Sequence, residues 1–270
     1  MSGSIHHRGL LPKAIIWDGL KFFATAGALL AVLLIGSSNL DYNWQWYRTS
    51  RYLFSLNENG FSVGPLLKGL GVTLQISAIS LVLASLFGLI AALLRLSNSF
   101  VARAFARGYV ELIRNTPLLV QIFFVYFVLS PVIGMDRFFS AVLALSLFEG
   151  AYASEIFRAG IVSIHKGQWE AAFSLGLNSF KAYRFIVLPQ AIRRMLPPLA
   201  SQTISLVKDS ALVSTIAIYD LTMKGQAIIA ETYLVFEIWF IVAAIYLTVT
   251  LTLSILINMM EKHLAVPTQT

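Results

Sequence analysis

Long apolar runs constrain this chain more than any other feature of its sequence. Hydrophobic residues make up 57% of the 270 residues, and charged residues only 12%, which is far from the balance of an average soluble domain. A run of about 20 apolar residues is long enough for a helix to cross the hydrocarbon core of a bilayer. We therefore expect six membrane-crossing helices, at residues 14–35, 66–94, 114–129, 138–160, 191–208 and 233–259.

Several functional classes are excluded by residues and motifs that the sequence lacks. It has no cysteine, so disulfides, thiolate metal sites and cysteine nucleophiles are impossible. It has no GxxxxGK[ST] phosphate loop, no HExxH zinc motif and no GxSxG nucleophile elbow. The chain is therefore not itself an ATPase of the phosphate-loop type, and no common hydrolase motif is present.

The formal charge of +7 suggests nucleic acid or anionic lipid as a partner, but its distribution indicates membrane topology instead. With six crossings, 13 Lys and Arg residues fall on one side of the membrane and six on the other, while Lys21 lies within the first crossing. The side richer in basic residues is normally cytoplasmic. The sequence therefore predicts cytoplasmic termini, a cytoplasmic loop at 161–185 and no nucleic-acid partner.

The chain divides into a main transmembrane domain and two flanking parts. Residues 1–64 combine a basic tail, the first crossing and a connector rich in Trp and Tyr, which we expect along the membrane surface, with a protein-binding patch as the alternative. Residues 65–260 form the transmembrane domain, and 261–270 form a second cytoplasmic tail. Within the domain, residues 211–230 are only moderately apolar, so we expect a partly inserted or surface segment there.

The second crossing is rich in small side chains, which allow close helix contact in lipid. These residues are Gly69, Gly71, Ser77, Ala78, Ser80, Ala84, Ser85 and Gly88.

The segment between the fourth and fifth crossings is polar enough to fold outside the membrane. Residues 168–175 favour a short helix, because Glu, Ala, Phe and Leu carry little helical penalty. We expect Gly176 to end that helix in the left-handed conformation. Ser179 is the expected N-cap of a second helix, which Pro189 would then end. The sequence thus predicts a helix–turn–helix handle, suited to docking on another protein.

This handle carries a motif with fixed spacing. Its seven positions are Glu170, Ala171, Ala172, Gly176, Ile186, Leu188 and Pro189. The pattern resembles the EAA loop of ABC-type import permeases, whose coupling helix sits in a cleft of the cytoplasmic ATPase. Two further segments, RNTPLL at 114–119 and EGAYASEIFRAGI at 149–161, resemble the polar amino-acid branch of that family.

The resemblance covers roughly residues 65–260 and implies an all-α integral membrane protein with the type I ABC importer fold. The core would have five helices, and the first crossing would be an addition to it. The chain would lie in a bacterial plasma membrane and would not be an enzyme, since a partner subunit binds and hydrolyses ATP; no cofactor of its own is implied. The implied partners are an ATPase dimer, a second permease that is identical or paralogous, a periplasmic amino-acid binding protein and membrane lipid.

An ionisable residue inside a membrane span is costly, so it usually has a functional role. Glu149 lies near the middle of the fourth crossing, and Tyr152 is three residues further on, on the same helix face. A partly desolvated carboxylate is a natural counter-ion for the ammonium group of an amino acid. A structural hydrogen bond to a neighbouring helix is the alternative.

The fifth crossing carries a polar stripe that we expect to face a cavity or another helix. The stripe consists of Ser201, Gln202, Ser205 and Lys208. Lys208 is a candidate contact for a substrate carboxylate, unless the neighbouring Asp209 neutralises it. Towards the cytoplasmic end of the fourth crossing, Glu155 and Arg158 have the spacing of an ion pair, and a gating role is the alternative.

The transported molecule is left open between related classes. A polar, possibly acidic, amino acid is the first expectation, given the fourth and fifth crossings. A basic amino acid is the second, because Glu149 and Glu155 also suit a cationic side chain. A gated channel is a further alternative, which would differ from a pump in needing neither ATP nor an ATPase partner.

Overall fold

A computed structural model describes residues 11–38, 42–57 and 60–264 of the chain, and divides it into two compact units, Met1–Gln45 and Trp46–Thr270. In the first unit, helix α1 (Leu11–Ser38) contains the whole of the first predicted crossing. The boundary between the units falls within the predicted aromatic connector, so the second half of that connector belongs with the transmembrane domain. The N-terminal tail before Leu11 and the last six residues lie outside the described ranges.

The second unit is helical apart from one small hairpin. It begins with a 3₁₀ turn (Trp46–Arg48), α2 (Ser50–Leu53), β1 (Phe54–Asn57) and β2 (Gly60–Val63). It continues with α3 (Pro65–Leu96), α4 (Phe100–Arg114), α5 (Leu118–Phe123), a π-helical segment (Phe124–Leu129), α6 (Ser130–Ile133) and α7 (Arg137–Val162). It ends with α8 (Lys166–Ser174), α9 (Ser179–Ala182), a second π-helical segment (Tyr183–Val187), α10 (Leu188–Asp209), a 3₁₀ helix (Ser210–Ile216), α11 (Leu221–Thr232) and α12 (Val235–Leu264).

Three helices of the described chain are long and apolar enough to cross a membrane by themselves. They are α3, α7 and residues Val235–Lys262 of α12. A fourth candidate is the pair formed by α4 and the segment Leu118–Ile133, which bend by 108° where they meet. Helix α10, the predicted fifth crossing, is 22 residues long, although its charged residues keep it out of this apolar group.

Two elements differ from the sequence expectations. The hairpin is an antiparallel pair in which Phe54 lies opposite Val63, in a segment for which no strand was predicted. No helix is predicted between the second and third crossings, yet α4 is a 15-residue amphipathic helix there, capped by the hydroxyl of Ser99, which accepts from the amide of Ala102. Its buried Ala106, Val110 and Ile113 follow the helical spacing of three and four residues.

The predicted partly inserted segment consists of two short helices. The 3₁₀ helix at Ser210–Ile216 is followed by Ala217 in the left-handed conformation, and then by α11. With 12 residues, α11 is about 18 Å long, well short of the ~30 Å hydrocarbon core. Neither helix is long enough to cross the membrane.

Helices α3 and α7 form the most extensive contact between described elements. Small buried residues run along α3 at spacings of three and four: Thr73, Ser77, Ser80, Ala84, Gly88 and Ala91. At Gly88, a Cβ atom would lie only 2.7 Å from Ala153 Cβ and 2.9 Å from the carbonyl oxygen of Gly150. The predicted close helix contact through small residues is confirmed, and its partner is α7.

Two prolines, Pro131 and Pro189, lie within helical segments that continue past them. Each proline follows a π-helical segment, in which the amide of Ser130 donates to Val125 O and the amide of Leu188 to Tyr183 O, five residues back. A proline ring clashes with the carbonyl four residues before it in a regular α-helix, and the wider π turn relieves that clash. The expectation that Pro189 ends the second helix of the handle is therefore wrong. Pro189 lies in the first turn of α10, where its missing N–H is tolerated.

The α3–α7 contact yields a stability prediction. Gly88→Val places two methyl groups against the α7 backbone, and we expect it to cost about 1–3 kcal/mol through overpacking. Gly71→Val is the matched control, because Gly71 lies in the same helix and a Cβ placed on it would have no atom within 4 Å. Thermal unfolding of both purified variants in detergent measures the difference. Equal unfolding temperatures for the two would contradict the close contact.

Candidate coupling loop and substrate site

The handle between α7 and α10 is built from α8, a tight turn and α9. Gly176 has φ +75°, and its amide donates to Phe173 O at 2.9 Å, while the amide of Leu177 donates to Ala172 O at 3.1 Å. This pair of bonds is the Schellman arrangement that closes a helix with glycine in the left-handed conformation. The predicted helix and its glycine stop are both confirmed. No atom lies within 4 Å of a Cβ placed on Gly176, so only backbone conformation demands glycine there.

Side-chain caps hold both helices of the handle. His165 Nδ1 accepts from the amide of Gly167 at the start of α8. Asn178 Oδ1 accepts from the amide of Lys181 at 2.9 Å and so caps α9. The predicted cap, Ser179, is instead the first residue of α9. The difference has a simple cause, because Asn and Ser are comparable caps and the Gly176 turn brings Asn178 into the capping position.

The seven motif residues do not share one exposed surface. Glu170, Ala171 and Gly176 are exposed, whereas Ala172 is only 2% exposed and is buried within this chain. Of the last three positions, Ile186 and Leu188 are half-buried and Pro189 is exposed. Three large apolar side chains that the motif does not include project from the handle: Phe173, Leu175 and Phe180.

The handle is anchored to the ends of α7 and α10 by an apolar cluster and by polar bonds. The cluster consists of Ile164, Val187, Ala191 and Met195, with Trp169 and Tyr183 packed against it. Arg194 of α10 donates to Ser163 O at 2.6 Å and to its hydroxyl at 3.1 Å. These contacts join the handle to the first two turns of α10.

Glu149 lies within the helix bundle and is 2% exposed. Its Oε2 accepts a hydrogen bond from Gln202 Nε2 of α10 at 2.5 Å, while its Oε1 is buried without a partner in the described residues. The two residues line a cavity of about 240 Å³ between α3, α7 and α10. The structure thus brings two of the predicted substrate-pathway residues together.

The other predicted pathway residues make their contacts away from this pair. Tyr152 stacks on Phe148 with 5.1 Å between ring centroids, and the guanidinium of Arg114 lies 5.4 Å from the Tyr152 ring. On α10, Ser201 and Lys208 are exposed and Ser205 is half-buried. The polar stripe therefore has Gln202 facing α7 and Ser201 and Lys208 open on the surface of this subunit.

Glu155 is the centre of an ion cluster larger than the predicted pair. Arg158 is bound to Oε2 at 3.0 Å, as its spacing predicted, and Oε1 also receives Arg95 at 2.7 Å and Arg114 at 3.5 Å. These arginines come from the C-terminal parts of α3, α4 and α7, where positive charge interacts favourably with the helix dipole. Sequence spacing identified only Arg158, because the other two are 60 and 41 residues from Glu155.

A second polar cluster ties α11 and α12 to α3. Asp220 is fully buried, and its Oδ1 accepts from the amide of Met223 at 2.8 Å, which caps α11. Tyr246 of α12 lies 3.5 Å from Asp220 Oδ2, and Thr73 of α3 accepts from the amide of Leu221 at 3.1 Å. Sequence reasoning missed this cluster. The Asp at the start of a helical pattern was the available signal.

The bent helix pair, the polar loop fixed to two helix ends and the carboxylate inside the bundle define a class of protein, the membrane-spanning subunits of transporters. A family model described as "Binding-protein-dependent transport system inner membrane component" matches residues 84–266. The chain belongs to this family. The predicted resemblance and the type I ABC importer fold are confirmed.

Individual relatives narrow the class to amino-acid permeases. The chain is 39% identical to the glutamine transport system permease protein GlnP of Escherichia coli strain K12, over 74% of this chain and 93% of that protein. It is 40% identical to the nopaline transport system permease protein NocM of Agrobacterium fabrum, over 73% and 86%. A crystal structure of an amino acid ABC transporter with histidines has a TM-score of 0.70 and 39% identity, over 74% of this chain and 94% of that one. The chain is thus an amino-acid ABC importer permease.

Proposed function

We propose that this permease moves polar amino acids into the bacterial cytoplasm by alternating access, driven by ATPase subunits that dock on the handle at 161–185. The structure of the handle is the observation that most supports this proposal. The handle has a tight turn and exposed apolar side chains, and it is packed against the ends of α7 and α10. Exposed Phe173, Leu175 and Phe180 provide apolar area for a protein partner. Glu170 and Ala171 lie on the same short helix and are also exposed.

The remaining motif residues act through the shape of the handle. Ala172 is buried against the chain itself, and Gly176 sets the turn. Ile186, Leu188 and Pro189 belong to the π-helical segment and the first turn of α10, which carry the handle into the membrane. A two-state transporter needs such a connection. ATP binding to the partner can shift the equilibrium between the two conformations of the permease only if the ATPase contacts those conformations differently.

The proposed assembly has two permease subunits, identical or paralogous, with two ATPases inside and an amino-acid binding protein outside. Both termini of this chain are cytoplasmic in the proposal. The support for this arrangement is the excess of basic residues on the handle side, together with the family to which the chain belongs.

Glu149 is the proposed contact for the substrate ammonium, with Gln202 holding its carboxylate in place. Glu149 lines the cavity, and its Oε1 has no hydrogen-bond partner in the described residues, so a ligand that reached this oxygen would complete its hydrogen bonding. The proposed pathway also includes Tyr152, Ser201, Ser205 and Lys208. Of these, Ser201 and Lys208 lie on the exposed face of α10, which would line the pore in the assembled transporter. A glutamine-like substrate is the first choice, because a relative with 39% identity is named for glutamine transport.

A basic amino acid is the second candidate substrate. It is favoured by the buried carboxylate of Glu149, which also suits a cationic side chain. Uptake of labelled glutamine and of labelled arginine, each measured with and without ATP, separates the two. ATP-dependent uptake of arginine without uptake of glutamine would favour the second candidate.

The first test concerns the handle. Gly176→Val forces a β-branched residue to φ +75°, and we expect the helix angle to change at a cost of about 1–2 kcal/mol or more. The variant should insert normally but retain less ATPase on purification and lose substrate-stimulated hydrolysis. Gly176→Asn is the matched control, because Asn tolerates the left-handed conformation, and it should behave like the unaltered chain. Normal ATPase recovery and stimulation in Gly176→Val would remove residues 165–189 as the coupling element.

The second test concerns Glu149. Glu149→Gln keeps an oxygen to accept from Gln202 but removes the negative charge. If the carboxylate holds the substrate ammonium, the substrate concentration at half-maximal uptake should rise about ten- to a hundredfold, corresponding to ~1.5–3 kcal/mol for a charge-assisted hydrogen bond. Basal ATP hydrolysis and assembly should be unchanged. Glu231→Gln, an equal charge change at an exposed position on α11 outside the proposed pathway, is the control and should leave uptake unchanged. Unaltered uptake kinetics in Glu149→Gln would reduce Glu149 to a packing role.

The third test concerns orientation. Because the chain has no cysteine, single cysteines can be placed by Tyr47→Cys in the outer connector and by Lys181→Cys in the handle. Both positions are exposed. In intact cells, an impermeant maleimide should label position 47 and should reach position 181 only after lysis. The opposite pattern would reverse the proposed topology.

A further inference from the structure

Helix α4 carries two distinct exposed surfaces that the proposed transport mechanism does not use. The exposed fractions of Val101, Phe105 and Leu112 are 75%, 74% and 65%. Successive residues of an α-helix are about 100° apart around its axis, so these three side chains fall within about 40° of one another. They form the apolar stripe of α4.

The second surface is basic. Arg103, Arg107 and Arg114 also fall within about 40° of one another, about 160° from the apolar stripe. On one side, the buried Ala106, Val110 and Ile113 separate the two surfaces and pack towards α7. On the other side the arc holds exposed Phe100, Ala104, Gly108 and Glu111. Ala104 and Gly108 lie beside the apolar stripe, whereas Phe100 and Glu111 lie beside the arginines.

The charge around α4 is strongly unbalanced. Five arginines meet two glutamates there: Arg95, Arg103, Arg107, Arg114 and Arg158, with Glu111 and Glu155. Both oxygens of Glu155 are already occupied by guanidinium groups, and Glu111 accepts from Asn115 Nδ2 at 3.0 Å. The Nε of Arg95 is buried without a hydrogen-bond partner among the described residues. The arginines therefore outnumber the carboxylates around them, and the site has a net positive charge.

The location of α4 fits a membrane interface. Its arginine cluster joins the last turn of α3 to the final turns of α7, directly before the handle. Helix ends of this kind mark the boundary between hydrocarbon and headgroups. An amphipathic helix with Arg on one face and Phe, Leu and Val on another is the kind that lies in that boundary.

We infer that α4 binds anionic phospholipid in the leaflet on the handle side, with headgroup phosphates on the arginines and acyl chains along the apolar stripe. Arginine suits this role because its planar group donates two parallel bonds to a phosphate. Basic pockets beside membrane helices attract anionic headgroups at about 1 kcal/mol for each Lys or Arg. Placing the site in the cytoplasmic leaflet rests on the proposed orientation, whereas binding itself does not.

The test uses the full-length chain purified in a neutral detergent, with lipid binding counted by native mass spectrometry. Phosphatidylglycerol and phosphatidylcholine with identical acyl chains are the two probes. Arg107→Gln removes an exposed arginine that forms no ion pair with the described residues. We expect its association constant for phosphatidylglycerol to fall about fivefold, with little change for phosphatidylcholine. Arg193→Gln, an equal charge change at an exposed site on α10, should leave both constants unchanged.

Additional experiments distinguish a lipid headgroup from free phosphate at the arginines, and lipid from a second permease at the apolar stripe. Phe105→Ser should weaken binding of both lipids, since it removes acyl-chain contact. Inorganic phosphate at millimolar concentration should not displace phosphatidylglycerol, and displacement would indicate a free-anion site instead. A disulfide between two copies of Phe105→Cys in membranes would show that a second permease covers the stripe. Equal affinity for the two lipids in the unaltered chain, or an equal loss in Arg193→Gln, would also overturn the inference.

Lipid binding and transport can fail separately in these experiments. Uptake can be assayed in vesicles of phosphatidylcholine with and without phosphatidylglycerol. It should continue in Arg107→Gln, at a rate that depends less on the phosphatidylglycerol content than in the unaltered chain. If the unaltered chain binds phosphatidylglycerol selectively but supports no uptake with its ATPase, the proposed function fails and the lipid site stands. If uptake is normal without lipid selectivity, the lipid site fails and the proposed function stands.

Discussion

The close contact of α3 with α7 is the constraint on which the rest of the structure depends. A Cβ on Gly88 would approach Gly150 O within 2.9 Å, so the two backbones meet nearly without side chains between them. In lipid no hydrophobic force drives helices together, and association rests on this kind of van der Waals packing. The contact fixes Glu149 and Glu155 on α7 relative to α3. From that position Glu149 reaches Gln202 of α10, and Glu155 receives Arg95 of α3 and Arg114 of α4.

Helix α10 is held to this pair much less tightly, and its contacts are of mixed kinds. Near the handle, the side chain of Met195 fills the space beside Gly160 that a Cβ there would need. Further along, the main polar contact to α7 is the bond from Gln202 to Glu149. Because the handle is fixed to the start of α10 through Val187 and Ala191, α10 is the element by which a docked ATPase would reach the buried carboxylate.

Residue propensities and capping preferences predicted most of the handle, whereas contacts between residues far apart in the sequence were not predicted. The glycine stop at Gly176 followed from residue type alone, whereas the capping position moved one residue, from Ser179 to Asn178. Helix α4 was not predicted from the sequence, although its Ala106, Val110 and Ile113 follow helical spacing. The contacts of Arg95 and Arg114 with Glu155 had no signal in the sequence, since pairing across 60 and 41 residues is decided by how helices pack. The burial of Ala172 was hidden for the same reason.

The polar contacts inside the bundle are of a strength that suits switching between two states. A single hydrogen bond contributes only about 0.5–1.5 kcal/mol net between neutral partners, and about 1.5–3 kcal/mol when one partner is charged. Bonds of that size, such as the one between Gln202 and Glu149, bias a conformational equilibrium by roughly ten- to a hundredfold without locking it. An apolar interface of interlocking side chains at the same place would hold α10 against α7 in one position. Glu149 Oε1, buried without a partner among the described residues, makes the substrate-free state costly there, so a ligand that supplies a donor lowers the free energy of the state that admits it. The carboxylate that recognises the substrate in the proposed function is thus also the group through which the substrate would alter the position of α10.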